Sequence, residues 1–382
     1  MRTIASVSAY AYALPVSAGN QTGHGTVRAR EGAIFILTMD NGTQGAGEMV
    51  ALPEFAGDSA ADLMKNFAKI KPLLCGQTLP ELLDLLHGAN AAAAYAPQLR
   101  FGLETAALDA LGKLENCSVC NLLTDLDQTS GTKQQINCVI ADAATDMAAA
   151  KAQRCAAAGY SVFKLKMGLS QNVTEEIDRI RAVSAVLPNN SALRLDPNEQ
   201  WSLAAAQEIL NACAQWPIEY CEQPLSRFAG AEIAKLQTTT HIPIALDEAV
   251  CSPEQAFEVI ANHTAQILIL KPALLGSLFT AKQIIQAANR SSIRCVVTSP
   301  YESGIGTAAD LALACASPEI IHACGLAGLD LLADDLILTP LHIAAGVMYL
   351  PFGAGLGVNP DIASLERFST QFHCAGAEAG YV

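Results

Sequence analysis

The chain has 382 residues, 51% hydrophobic and 16% charged, with a formal net charge of −14. That is enough for a large domain beside a smaller one, and too apolar for a disordered chain. The acidic balance argues against nucleic acid as the main partner, because phosphate binding needs a basic surface. A small anionic substrate needs only a local basic site. The 12 cysteines are scattered, several in apolar runs, as at Cys221, Cys295 and Cys315. They read as buried, reduced thiols rather than a disulfide scaffold. Cys117 and Cys120 have CxxC spacing, but no second pair stands nearby to complete a zinc site. The N-terminus reads as a strand, not a signal peptide, and no apolar run approaches the roughly 18 residues of a membrane span. The expectation is a soluble, cytoplasmic protein without membrane partners. The sequence gives no oligomeric state.

Residues 1 to about 50 read as strands and turns, with a hairpin signal at Asn41-Gly42. From Asp58 to about Gly112 the pattern is helical, with capping candidates at Asp58-Ser59 and at Thr78 before Pro80. Residues 1–115 are therefore expected to form an α+β domain. From about Gln134 short apolar strands alternate with helical stretches. Eight strand candidates begin at Ile136, Ser161, Ala192, Ile218, Ile242, Gln266, Ile293 and Ile320, about 24 to 31 residues apart. Eight βα units of that length predict an α/β fold with a (β/α)8-type barrel over residues 116–350. An open doubly wound sheet is the structural alternative, but no GxGxxG follows the first strand. Residues 351–382 are expected to return toward the first domain.

The strand ends carry the chemistry. Strand two ends in Lys164-Leu165-Lys166, strand three in Asp196, strand four in Glu222, strand five in Asp247-Glu248 and strand six in Lys271. Strand residues alternate faces, so Lys164 and Lys166 share one. Barrel active sites lie at the C-terminal ends of the strands. From Asp196 the steps to Glu222, Asp247 and Lys271 are 26, 25 and 24 residues, one βα repeat each. Three carboxylates in one mouth suit a hard divalent cation, Mg²⁺ best. A metal beside a substrate carboxylate, with an amine able to lose its proton, suits abstraction of the α-proton. A neighbouring cation, Lys164 or the metal, would lower a lysine pKa from its usual value of about 10.4. One acid at a strand end is as often a helix cap or a salt-bridge partner. The specificity lies in the set.

At these residues the chain resembles the enolase superfamily, in its muconate-lactonizing branch, with the first domain as the capping domain. The resemblance narrows to the o-succinylbenzoate synthase family through Arg30-Glu31-Gly32 and GAGEMVALPEFAGDS, RFGLETAALDAL from Arg100, LKPALLGS from Leu270 and TSPYESGIG from Thr298. It covers nearly the whole chain. It implies a syn dehydration of 2-succinyl-6-hydroxy-2,4-cyclohexadiene-1-carboxylate to o-succinylbenzoate, in menaquinone synthesis. It implies Lys166 as base and then acid, Lys271 as electrostatic stabiliser, Lys164 as the group tuning Lys166, and Mg²⁺ on Asp196, Glu222 and Asp247. Asn198 and Glu248 are candidates for orienting the ligands. Ser299, Glu302, Ser303 and Gly304, before an expected helix, and Gly325 are candidates for binding the succinyl carboxylate through backbone N–H groups. Trp201 and Tyr220 are expected to pack rather than touch substrate. Loops at residues 20–28 and 53–58 are expected to close over the mouth.

Two segments depart from the family pattern. Thr298-Ser299-Pro300 stands where the family usually has two serines, and CGLAGLDLL lacks the expected Thr or Ser. An N-succinylamino acid racemase, a muconate cycloisomerase or a dipeptide epimerase would use the same set. An epimerase usually carries Asp-x-Asp after strand eight, and residues 322–329 contain none. A non-catalytic barrel is the alternative of another class. It has no reason to keep both lysines and three ligands.

Overall fold

The computed structural model describes residues 2–16, 21–22, 25–55, 57–88, 90–126 and 128–370. In the first domain Ile4–Pro15 pairs antiparallel with Ala29–Met39, which pairs antiparallel with Gln44–Val50. Between the last two strands Gly42 takes φ 86°, a conformation that glycine adopts without a Cβ penalty. Ser59 caps the helix Ala60–Ile70, and Thr78 forms a reciprocal capping box with Glu81 on Leu79–His87. The helix Pro97–Glu115 packs on this sheet at backbone distance. A Cβ on Gly47 would run into the Gly102 carbonyl. The helix also faces the second domain, which explains why Glu104 and Asp109 are buried on it.

The second domain is a parallel sheet of seven strands in sequence order: Cys138–Ile140, Val162–Lys166, Ala192–Asp196, Ile218–Glu222, Ile244–Leu246, Ile267–Leu270 and Arg294–Val297. They are numbered one to seven below. Helices follow the strands, from Thr145–Ala157 to Gly304–Cys315. Alternation divides the strand residues. Cys221, Ile244, Leu246, Leu268 and Leu270 join the large core shared with the helices. Tyr220, Ala245, Ile267, Ile269 and Val296 form a separate cluster on the inner face. Lys164, Asp196, Glu222, Asp247 and Lys271 share the parity of that inner face.

Two expectations need correction. The eighth strand, expected from Ile320, does not form. Only Cys324 and Gly325 pair, in single parallel bridges to Ile136 and Thr298 respectively. Around them the chain is held by side chains and turns, with His322 Nδ1 2.9 Å from Glu219 Oε1. The thiols are not all reduced either. Cys138 on strand one and Cys155 on the following helix are bonded, with their Cα atoms 6.5 Å apart. Near the C-terminus, Ala13 N donates to Phe368 O and Thr370 N to Ala11 O, so the segment from Ile362 reaches the first strand. The expected return of residues 371–382 lies outside the described residues, as do residues 20, 23 and 24 of the 20–28 loop.

Candidate active site

The inner-face residues meet at the C-terminal edge of the sheet. Lys164 Nζ bridges two carboxylates, 2.9 Å from Asp196 Oδ2 and 2.5 Å from Glu222 Oε1. Lys166 Nζ lies 2.6 Å from the same Asp196 oxygen and 2.9 Å from Asn198 Oδ1. Asn198 Nδ2 donates to Glu248 Oε1 at 3.0 Å. Lys271 Nζ donates to Asp247 Oδ1, and the Phe55 ring centroid lies 4.4 Å from that nitrogen. Gln223 Oε1 accepts from the backbone of Asp247 and Ala249, both at 3.1 Å, which fixes the end of strand five.

The electrostatics follow from burial. Burial is the largest single influence and alone would lower both strand-two lysines, but Asp196, Glu222 and their neighbours together outweigh it, and both are raised above the ordinary lysine value. Lys164 pushes Lys166 down, as the sequence suggested, without overcoming Asp196. Asp196 is buried, yet Lys164 and Lys166 hold it well below the usual carboxylate range. Burial, followed by the charge of Asp196, pushes Glu222 up to about 8. Burial also raises Asp247.

The carboxylates spend their oxygens on ammonium groups. Among the described residues no three acids, histidines or cysteines stand as a ready metal cage. The donor set nonetheless fits a hard cation. It offers oxygen only, from three neighbouring strands, and Glu222 Oε2 is buried without a hydrogen-bond partner.

One cavity joins these groups. Lys164, Lys166, Asn198, Asp247, Lys271, Ser299 and Gly325 line it. The structure does not bring Glu302, Ser303 or Gly304 to it. Glu302 Oε2 accepts from Ser299 Oγ at 2.8 Å. Glu48 of the first domain accepts from Ser303 N at 2.9 Å and Gly306 N at 2.8 Å, and Asp335 takes Gly304 N at 2.7 Å. The helix terminus expected to receive a substrate carboxylate is filled by the chain's own acids. Trp201 donates to Glu176 and Tyr220 lies under Arg194, so both pack away from the cavity lining.

Comparison with known proteins gives this site a family. Residues 6–124 match the mandelate racemase / muconate lactonizing enzyme N-terminal domain, and residues 146–364 match the enolase C-terminal domain-like family. The chain belongs to the enolase superfamily. Muconate cycloisomerase 1 of Rhodococcus opacus is 26% identical over 344 residues, 88% of this chain and 90% of that protein. The o-succinylbenzoate synthase of Mycobacterium leprae is 35% identical over 201 residues, 52% of this chain and 56% of that protein. The solved N-succinyl Arg/Lys racemase of Bacillus cereus shares the fold, with a TM-score of 0.88 and 24% identity, covering 97% of this chain and 98% of that one.

In this enolase superfamily chain several cavity residues went unmarked in the sequence reading. Arg30, Glu54 and Phe55 enter from the first domain, and Tyr301 from the loop after strand seven. Arg30 and Glu54 lie in segments quoted for their family likeness. Glu54 is a lone charge in an apolar run, whereas Arg30, between Arg28 and Glu31, carries no local signal of its own. Glu54 and Phe55 do bring the 53–58 segment to the mouth.

Proposed function

We propose that the chain is a Mg²⁺-assisted lyase of the o-succinylbenzoate synthase type. One observation carries the reading: Lys166 and Lys271, four strands apart, line one cavity beside the carboxylates of strands three to five. The 35% identity to the mycobacterial synthase supports it over half the chain.

Asp196, Glu222 and Asp247 would hold the metal. When bound, Mg²⁺ supplies positive charge beside the substrate carboxylate and so acidifies the adjacent C–H. Committing Asp196 to that role removes from Lys166 the partner that raises its pKa, while Lys164 continues to lower it. Lys166 takes the proton next to the ring carboxylate and returns it to the hydroxyl departing from the same face. Water leaves and the ring becomes aromatic. Lys271 stabilises the negative charge that builds on the substrate. Asn198, held by Glu248, fixes the Lys166 ammonium. Ser299 and Gly325 contact the substrate from the far wall. The setting is cytoplasmic menaquinone synthesis.

The second reading is an N-succinylamino acid racemase. The same lysine pair favours it, since deprotonation on one face and reprotonation on the other needs two bases. The test is to supply Mg²⁺ with the cyclohexadiene substrate, and separately with N-succinylamino acids in D₂O. The synthase reading expects aromatic product from the first. Exchange and racemisation of the second, with no dehydration, would replace it by the racemase. Neither reaction, and no Mg²⁺ bound, would leave a non-catalytic barrel.

A further inference from the structure

Arg30 brings a cation into the cavity from the first domain and has no part in the proton chemistry. Its side chain is only 3% exposed, yet it lines the same cavity as the three lysines. Nη1 donates to the Ala51 carbonyl at 2.9 Å, and Nη2 pairs with Glu54 Oε1 at 2.8 Å. The guanidinium lies 5.7 Å from the Tyr301 ring centroid. Its Nε is buried with no hydrogen-bond partner. A buried guanidinium donor left unmade is costly, and the edge carrying it matches a carboxylate.

The charges lining the cavity fall into two sets. Asp196, Glu222 and Asp247 answer the three lysines. In the second set Glu54 is the ion-pair partner of Arg30. It sits on the single turn Pro53–Phe55 and keeps 14% of its side chain exposed, so water can take it up when a competing anion arrives. The N–H groups of Ser303, Gly304 and Gly306 are already spent on Glu48 and Asp335. A second substrate carboxylate therefore needs another receptor.

We infer that Arg30 is that receptor: it takes the distal carboxylate of a dicarboxylate substrate, displacing Glu54 from the guanidinium. The inference rests on the proposed synthase reading for its substrate, whose succinyl arm supplies that carboxylate. Phe55, next to Glu54, lies on Lys271, so the turn that yields Arg30 to the substrate also covers the stabilising lysine.

The experiment compares two ligands on the Mg²⁺-loaded protein by calorimetry. They are 2-succinylbenzoate and 2-butanoylbenzoate, alike except for the distal carboxylate. Wild type should prefer the first. Arg30→Met should weaken it by about 10- to 100-fold, the worth of a charge-assisted pair, and leave the second within about threefold. Glu54→Gln, which leaves Arg30 in place, should tighten the dicarboxylate alone. Equal losses for both ligands in Arg30→Met, or no preference in wild type, overturns the inference. So does unchanged dicarboxylate affinity in Glu54→Gln. Dehydration is assayed in parallel on wild type. Turnover without the Arg30 effect sinks only the subsite. The Arg30 effect without turnover keeps the subsite and sinks the synthase reading.

Discussion

At the scale of single residues the account turns on how two lysines are held. Lys166 shares Asp196 with Lys164, and Lys271 stands on Asp247. Lys166→Ala should lower kcat by about 10²- to 10⁴-fold, the usual worth of a positioned general base. Its circular dichroism spectrum should stay that of wild type. Asn198→Ala should cost less and shift the pH–rate profile, because it touches Lys166 rather than substrate. Glu302 gives a separate pH prediction. Burial pushes it up to about 7 from an ordinary 4.5, so between those values the folded chain keeps a proton that the unfolded chain has lost. Its contribution is complete below pH 4.5 and is lost as pH rises toward 7. Glu219 behaves oppositely. Despite its burial, His322 and Arg194 hold it at about 2, so its contribution is present above pH 4.5 and lost toward pH 2. The metal-free protein should therefore lose Tm between pH 5 and 7.5, and Glu302→Gln should flatten that fall. An equal slope in the variant would remove Glu302 from the explanation.

At the scale of elements, two buried acids join the domains through helix N-termini. Glu48 accepts from Ser303 and Gly306 at the helix Gly304–Cys315. Glu104 accepts from Leu278 N at 2.6 Å and Ser277 Oγ at 2.7 Å at the helix Leu278–Arg290. Each satisfies donors that the helix itself cannot use. Glu48→Ala leaves buried N–H groups and the Tyr12 hydroxyl unpaired, and should cost about 3 kcal/mol in urea unfolding. Ser364→Ala, on the outlying helix Ile362–Arg367, should cost under about 1 kcal/mol. Both acids lie in stretches whose family likeness was plain in the sequence. Their docking role was not, because a glutamate reveals nothing about a helix terminus some 170 to 260 residues away. The same limit explains the 299–304 loop. The sequence showed a helix N-terminus there, but not that Glu48 fills it.

At the scale of the whole molecule, the βα repeat was legible because the strands are apolar and largely buried, and strands two to six end in, or run at once into, a charged residue. Strands one to seven and the convergence of Lys164, Lys166, Asp196, Glu222, Asp247 and Lys271 follow from that pattern. The eighth strand was misjudged because an apolar run such as IIHACGL signals burial, while only two of its residues pair. Walls contributed by the first domain, Arg30 and Phe55, depend on how the domains dock and so lay beyond local patterning. Mg²⁺ should raise Tm in proportion to the logarithm of its concentration above Kd, and Asp247→Asn should abolish the rise. The most direct measurement is dehydration of the cyclohexadiene carboxylate by wild type and Lys166→Ala, each with and without Mg²⁺. The account expects turnover only from metal-loaded wild type. Undiminished turnover by Lys166→Ala would contradict it.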